Sequence, residues 1–190
     1  TNASVILCHS LLTHNCFNGT ISSWSQLEAS QRINRIAGAH VLLTSKDGLC
    51  STLRFLPSAA ATLSSYTFPC YVLPEHYASL RQQISKDGRS KLWISKPSSG
   101  SQGAGIKVLT GDQILASLTP SGKSRLTAGI FPQGRIVTSY LSNPLLRNGR
   151  KWDLRSYVLV TSVLPMRVYV FSEAIVRYAV SKYSSASQSK

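Results

Sequence analysis

Apolar residues recur at helical spacing in three parts of the chain. The clearest run follows Pro74-Glu75 and is closed by Asp87-Gly88; its apolar positions are Tyr77, Leu80 and Ile84. A second helix is predicted over 24–36, where Ser22 and Ser23 offer caps and Gly38 offers a stop. A third, short helix is predicted over 112–118.

The remaining apolar positions alternate or run together, which is typical of strands. Strands are predicted at 92–95, 106–110, 135–141, 152–162, 166–171 and 174–180. Turn residues at Asn148-Gly149 and Leu164-Pro165 separate the later ones. The polar stretches 57–68 and 119–135 are predicted to be loops, and the last residues a frayed tail. The pattern indicates a mixed domain of helices and strands whose final third is rich in strands.

Charge narrows the range of partners. The chain of 190 residues has 21 Lys and Arg against 7 Asp and Glu, a formal net charge of +14. Such an excess favours a polyanionic partner, which could be nucleic acid, an acidic membrane surface or an acidic protein. No apolar run reaches the ~18 residues of a membrane span, and the N-terminus is a poor secretion signal.

The four cysteines form no recognisable metal or disulfide framework. Cys8, Cys16, Cys50 and Cys70 contain no CxxC pair, and the histidines near the first two do not give a usual zinc spacing. We therefore expect free thiols in a reducing compartment.

The most unusual stretch is the glycine-rich segment KPSSGSQGAGI, residues 96–106. It lacks the Gly-Lys-Ser/Thr ending of a Walker loop, and its glycine spacing does not fit a dinucleotide fingerprint. It does fit a strand–loop–strand flap, in which Lys96 supplies a positive charge and the glycines let backbone N–H groups approach phosphate oxygens. An ordinary long hairpin with a flexible tip is the alternative.

A second candidate site lies in the sequence KWDLR, residues 151–155. On a strand, Lys151, Asp153 and Arg155 point to one face, where they could hold ribose and phosphate; the alternative is a salt-bridged, solvent-facing row. The opposite face is predicted to be buried, and its residues are Trp152, Leu154, Val158 and Val160. Arg177 interrupts an apolar strand, so it lies either at an edge or in a site.

Taken together, these segments resemble the tubulin–tyrosine ligase-like family. The similar stretches are QRIN (31–34) through KDGL (46–49), YVLP (71–74), WISKP (93–97) through QGAGI (102–106), YLSNPLL (140–146), GRKWDLRSYVLVTS (149–162), RVY (167–169) and VRYA (176–179). Their order and spacing make the match specific. It defines a domain over 31–184, with a poorly matched segment at 1–30 and a tail at 185–190.

The resemblance implies a partial ATP-grasp fold, α+β with antiparallel sheets and flanking helices. It also implies an ATP- and Mg²⁺-dependent ligase that adds amino acids to carboxylates of tubulin tails through an acyl phosphate. Glutamate is the favoured amino acid, with glycine and tyrosine left open. The implied partners are the acidic tubulin tails and the free amino acid, with no membrane. A nucleic-acid binder is the least favoured alternative, because Trp152, Tyr157 and Tyr169 could stack on bases but no RNA-binding signature is present. The implied location is the cytoplasm and cytoskeleton, with the cilium or basal body as a further possibility.

The same resemblance suggests roles for individual residues. Arg155 and Arg177 would stabilise the transferred phosphate and the substrate carboxylate. The nucleotide would be contacted by Lys46, Lys96, Gln102, Gly103, Gly105, Ile106, Tyr140, Leu141, Lys151 and Asp153.

Several departures from the family pattern bear on activity. After Gly105 the acidic residues are Asp112, Asp153 and Glu173, so the magnesium ligands are expected beyond the C-terminus of this chain. Ala104 and Thr138-Ser139 replace more polar residues, which weakens the expectation of normal ATP affinity. The chain is expected to be either an excerpt of a longer ligase or an inactive form. The alternative function is therefore a catalytically inactive, basic module that binds microtubules or another polyanion.

Overall fold

The computed structural model describes residues 5–6, 27–36, 39–55, 62, 66–98, 103–118 and 134–184. The chain divides into two compact units, Thr1–Ser139 and Tyr140–Lys190. Among the helices described, none combines the length and apolar character that a membrane span needs.

The first unit is built on a four-stranded antiparallel sheet. In chain order its elements are β1 (Val5–Ile6), β2 (Arg32–Ile33), a π-helical turn (His40–Thr44), α1 (Lys46–Phe55), β3 (Cys70–Leu73), α2 (Tyr77–Asp87), β4 (Leu92–Pro97), β5 (Lys107–Thr110), α3 (Gly111–Ala116) and β6 (Arg135–Ser139). The order of strands across the sheet is β3-β6-β4-β5. The strands β1 and β2 form a separate parallel pair. The α+β prediction with antiparallel pairing is confirmed.

The core lies where α2 and α3 pack on this sheet. Trp93, Leu80 and Ile84 are fully buried, and Ile114 and Val137 nearly so. The helical spacing of Leu80 and Ile84 places both on the buried face of α2, as the sequence predicts. In β4 alternate residues are buried, so Trp93 and Ser95 share the core-facing side while Lys96 lies on the other.

The ends of the helices follow the local sequence. Gly88 ends α2 with a φ of 94°, a value that favours glycine. A capping box begins α3: the hydroxyl of Thr110 accepts from the N–H of Gln113, and the side chain of Gln113 accepts from the N–H of Thr110. The predicted helices at 77–87 and 112–118 are thus confirmed with small changes of boundary.

The helix predicted over 24–36 is wrong for the part described. Residues 29–30 form a turn, and Arg32–Ile33 is β2, paired with Val5–Ile6. A pairing partner about 27 residues away along the chain overrides the local helical pattern. The helix that does form nearby, α1, begins at Lys46. Helical spacing at 24–36 was therefore misleading, since it carried no information about this distant strand.

The expectation of free thiols is wrong for Cys50 and Cys70. These two residues form a disulfide that joins α1 to β3, with their Cα atoms 5.8 Å apart. The sequence shows only that they are 20 positions apart; the packing of α1 on β3 brings them together. Cys8 and Cys16 lie outside the described residues.

The second unit is a three-stranded antiparallel sheet. Its strands are β7 (Leu146–Arg147), β8 (Arg150–Val163) and β9 (Met166–Tyr178), in the order β7-β8-β9. Asn148 and Gly149 both have positive φ, 52° and 70°, and form the predicted turn between β7 and β8. The two strands predicted at 166–171 and 174–180 are one strand, β9, whose register against β8 shifts between Ser156 and Val158.

The apolar face of the β8–β9 hairpin is not buried as predicted. Leu154 and Val158 are 55% and 57% exposed. Opposite them on β9, Val176 and Val170 are 42% and 70% exposed. Within the described part of this unit no further layer packs on that face. The alternation of apolar and polar residues therefore predicts correctly which residues share the face, but not that the face is exposed.

Candidate functional site

The glycine-rich segment forms the predicted strand–loop–strand unit. β4 and β5 pair antiparallel, from Leu92 opposite Thr110 to Ser95 opposite Lys107. Lys96 lies half-buried near the end of β4. The hairpin therefore places two lysines beside the glycine loop, Lys96 near the end of β4 and Lys107 at the start of β5.

The described end of the loop is held in a tight turn. The N–H of Ile106 donates to the carbonyl of Gly103 over 3.2 Å, and Gly103 and Gly105 have φ values of 79° and 70°. A Cβ at Gly105 would lie 2.9 Å from the Pro97 ring. Both glycines are required by backbone conformation, and Gly105 also by the close approach of Pro97. Gln102 lies outside the described residues.

A buried arginine, not identified from the sequence, ties this loop to its strand. Arg135, on the neighbouring strand β6, is only 4% exposed. It donates from Nε to the Ser95 hydroxyl over 2.8 Å, and from a terminal nitrogen to the carbonyls of Ser95 and Gly105 over 3.2 and 2.7 Å. Burial lowers the pKa of the Arg135 guanidinium, which nevertheless stays protonated.

A second set of hydrogen bonds, besides those of Arg135, closes the base of the flap. Ser98 donates from its N–H and its hydroxyl to the carbonyl of Gly134, over 3.0 and 2.8 Å. A Cβ at Gly134 would lie 2.7 Å from the carbonyl oxygen of Leu73, so only glycine fits there. These contacts and those of Arg135 fix both ends of the flap to the central strand of the sheet.

Of the other sites predicted in the first unit, Lys46 is the first residue of α1 and is partly buried. It lies on a helix that packs on β3 and β6, whereas Lys96, Gly103, Gly105 and Ile106 share one hairpin. The remaining predicted residues, Tyr140, Leu141, Lys151, Asp153, Arg155 and Arg177, belong to the second unit.

In the second unit, Lys151 is enclosed by two aromatic rings. Its Nζ lies 4.5 Å from the ring centroid of Tyr140 and 4.6 Å from that of Tyr183, and it donates a hydrogen bond to the Tyr140 hydroxyl. Tyr183 is in turn anchored, since its hydroxyl donates to the carbonyl of Ser142 over 2.6 Å and its N–H to Gly149 over 2.8 Å. The sequence singled out Tyr140 but not Tyr183, which arrives from beyond the end of β9.

The predicted charged row does share one face of β8. Asp153 lies directly opposite Arg177, and Arg155 opposite Ile175. Arg177 donates from Nε to Asp153 over 2.6 Å, and both side chains are more than half exposed. This hydrogen bond lowers the pKa of Asp153 and raises that of Arg177. Arg177 thus joins the row across the strands, which the sequence could not show without the register.

The described residues fit a polyphosphate better than a divalent metal. Lysine, arginine and glycine N–H groups are the usual partners of phosphate. In the part of the chain described, no three His, Cys, Asp or Glu side chains come together, and Asp87, Asp112 and Asp153 each form a salt bridge with a cation. A magnesium ion therefore has no described ligand set, and no step is derived through it.

Comparison with known proteins gives these features a context. The family model described as the tubulin-tyrosine ligase family matches residues 25–190. The chain is 32% identical over 168 residues to tubulin monoglutamylase TTLL4 of Homo sapiens, covering 88% of this chain and 13% of that protein. It is 36% identical over 115 residues to the probable alpha-tubulin polyglutamylase Ttll1 of Tetrahymena thermophila, covering 60% of this chain and 28% of that protein.

A solved structure supports the fold. The C-terminal domain of Pby1 from K. lactis, an ATP-grasp enzyme, superposes with a TM-score of 0.55 at 20% identity, over 85% of this chain and 48% of that one. The chain thus spans about half of that domain and a small part of the curated relatives. The flap in the described sheet is part of an ATP-grasp fold, and the chain belongs to the tubulin-tyrosine ligase family.

Proposed function

We propose that the protein carrying this chain is an ATP-dependent ligase that adds amino acids, glutamate being favoured, to carboxylates of tubulin tails. The observation that carries the proposal is the β4–β5 flap, which presents Lys96 and the backbone of residues 103–106 and is fastened by Arg135. Relatives of this chain are named as tubulin glutamylases, which supports both the acceptor and the amino acid.

In this proposal ATP supplies the γ-phosphoryl group that converts the accepting carboxylate into an acyl phosphate. Lys96 and the loop N–H groups bind the phosphate oxygens, while Lys151 and Asp153 contact the nucleotide. Arg155 and Arg177 neutralise the charge that grows on the transferring phosphoryl group and orient the carboxylate. The incoming amine attacks the carbonyl carbon, the C–N bond forms, and phosphate leaves as the amine loses its proton.

Lys46, Tyr140 and Leu141 have supporting places in the same proposal. Lys46 provides a second cation from α1, and the backbone at Tyr140-Leu141 borders the adenine. Gln102 would extend the flap that covers the phosphates. The acting protein would be found on the cytoskeleton, in the cytoplasm and at cilia or basal bodies, with Mg²⁺ held by residues other than those described.

The decisive experiment follows radiolabelled glutamate into tubulin with the full-length protein and ATP. Lys96→Ala should abolish incorporation, because the flap loses the side-chain cation at the end of β4. Lys86→Ala removes an exposed lysine at the end of α2 and serves as the matched control. Unchanged incorporation by Lys96→Ala would remove this lysine from the mechanism.

A second candidate function is binding of tubulin tails without turnover, which the net charge of +14 favours. One comparison distinguishes the two candidate functions. The ligase gives ATP-dependent incorporation, whereas the binding module gives salt-sensitive tubulin binding that ATP does not change.

A further inference from the structure

Three cations converge on the turn between β7 and β8. Arg147 and Arg150 are paired directly across the two strands, with Asn148 and Gly149 between them. The side chain of Lys182 passes over the same turn, since a Cβ at Gly149 would lie 3.8 Å from the Lys182 Cδ. We call Arg147, Arg150 and Lys182 the basic tip.

The basic tip is built by hydrogen bonds and does not depend on chance placement of long side chains. The segment after β9 returns to the turn: Ala179 donates to the carbonyl of Lys151 over 2.8 Å, and Tyr183 donates to that of Gly149 over 2.8 Å. Arg150 donates to the carbonyl of Ala179 over 3.1 Å. These bonds fix Lys182 beside the two arginines.

Its charges are not neutralised within the described residues. Like charges directly opposite each other on an antiparallel pair destabilise it, and Arg147 faces Arg150 in this way. Among the residues described, no carboxylate forms a salt bridge with Arg147, Arg150 or Lys182. A local structure that holds three like charges together is suited to an anionic ligand.

A cleft adjoins the two arginines. It has a volume of about 470 Å³, and its lining residues are Arg147, Asn148, Arg150, Tyr178, Ala179 and Val180. The cleft is shallow and open to solvent, which suits a peptide lying across the surface. The two guanidinium groups can bind the carboxylates of an acidic peptide. The methylene groups of its side chains can pack on the apolar residues of the cleft.

We propose that the basic tip and its cleft bind an acidic peptide segment through successive Glu or Asp carboxylates. The inference rests on the proposed function only in taking the acidic tail as the acceptor; the binding itself requires no ATP. It adds to that function a docking contact formed by Arg147, Arg150 and Lys182, none of which has a part in the chemistry.

The test is fluorescence anisotropy of a labelled oligoglutamate peptide with the full-length protein, without nucleotide. The double variant Arg147→Ala/Arg150→Ala should weaken binding by about tenfold or more, as expected when two charge-assisted contacts are lost. The control Arg81→Ala/Arg167→Ala removes the same charge from exposed positions on α2 and β9 and should change the affinity by less than about twofold.

A third variant protects the test against a folding defect. Arg147→Glu leaves the Arg150 hydrogen bond in place and should lower the affinity at least as much as the double variant. Equal losses in the control and tip variants would mean diffuse charge and would overturn the proposal. So would preference of the tip for single-stranded RNA or inorganic phosphate over oligoglutamate. Lys96→Ala should keep peptide binding, so failure of ligation and failure of docking remain distinguishable.

Discussion

Arg135 and Ser95 are joined twice: the guanidinium donates one hydrogen bond to the serine hydroxyl and another to its backbone carbonyl. The same group reaches the carbonyl of Gly105 in the loop. A single buried charge from β6 therefore sets the position of the loop relative to β4. Burying this charge costs free energy, which the three hydrogen bonds to the Ser95 hydroxyl and to the carbonyls of Ser95 and Gly105 offset. All three acceptors are uncharged.

Replacing Arg135 should loosen the flap. Arg135→Met keeps a similar volume but removes the hydrogen bonds to Ser95 and Gly105, a loss of about 1–3 kcal/mol in the free energy of unfolding. Amide hydrogen exchange at Gly105 and Ile106 should accelerate. Urea unfolding and exchange measured by mass spectrometry check both, with Arg89→Met, an exposed salt-bridged arginine, as the control. Normal exchange in the loop would contradict the clamp.

Removing the disulfide should lower stability under oxidising conditions. Cys50→Ser/Cys70→Ser removes a cross-link between residues 20 positions apart, and the chain-entropy model gives about 3 kcal/mol for a loop of that size. Urea unfolding of the oxidised protein with and without dithiothreitol measures the difference. Dithiothreitol should not change the urea midpoint of the double variant. If it also left the midpoint of the parent protein unchanged, the disulfide would be contradicted.

Acidification should weaken the first unit through His76. Its Nδ1 accepts from the N–H of Val72 over 3.0 Å, which requires a neutral ring nitrogen. Burial, followed by the charge of Arg54, lowers the pKa of His76, while Glu75 opposes the shift. The unfolded chain therefore binds this proton more readily than the folded one. Stability from this group is fully present above pH ~6.5 and is lost as pH falls below it toward the lower folded pKa.

Urea midpoints between pH 8 and pH 5 measure that loss. His76→Asn is the comparison, since its side-chain oxygen can accept the Val72 hydrogen bond without titrating in this range. The slope against pH should flatten in the variant. An unchanged slope would assign the acid sensitivity to another group.

The aromatic enclosure of Lys151 should depend on the ring of Tyr183 more than on its hydroxyl. Tyr183→Leu removes one face of a cation–π pair, worth about 0.5–2 kcal/mol. Tyr183→Phe keeps the ring and loses the hydrogen bond to Ser142, about 0.5–1.5 kcal/mol. Titration with a fluorescent ATP analogue should show weaker binding for Tyr183→Leu than for Tyr183→Phe. Equal affinities would mean that Lys151 needs no second ring.

Asp153→Asn separates the two interpretations of the charged row. Because the ion pair with Arg177 is solvent-exposed, its loss should leave the unfolding midpoint almost unchanged. If the row binds nucleotide, glutamate incorporation should nevertheless fall by about tenfold or more. Incorporation at the parent's rate would show that the pair is only a surface salt bridge. Glu173→Gln, at an exposed carboxylate of β9, is the control.

Local sequence was a good guide where neighbours along the chain decide the structure. The spacing of Leu80 and Ile84 with the glycine at 88, and the strands flanking the glycine loop, were predicted because each depends on a few adjacent residues. The shared face of Asp153 and Arg155 followed from alternation alone. These elements needed no knowledge of their partners.

Long-range contacts set the limit of that prediction. The β2 pairing, the Cys50–Cys70 bond and the three acceptors of Arg135 all join segments far apart in the chain. Arg135 did carry a signal, since a charge beside Ile136 and Val137 in an apolar strand is unusual, but the sequence could not name its acceptors. No sequence pattern indicates Tyr183, because its contact with Lys151 forms only when the chain after β9 turns back toward the β7–β8 turn.

In the β8–β9 hairpin the strands are 14 and 13 residues long, respectively, and many of their apolar side chains are exposed to solvent. Among the strands described, none pairs with the outer edge of β9, so its backbone donors and acceptors and its exposed valines are open to an added extended chain. At high concentration these 190 residues should therefore form oligomers through strand addition, and lowering temperature, which weakens apolar attraction, should disperse them.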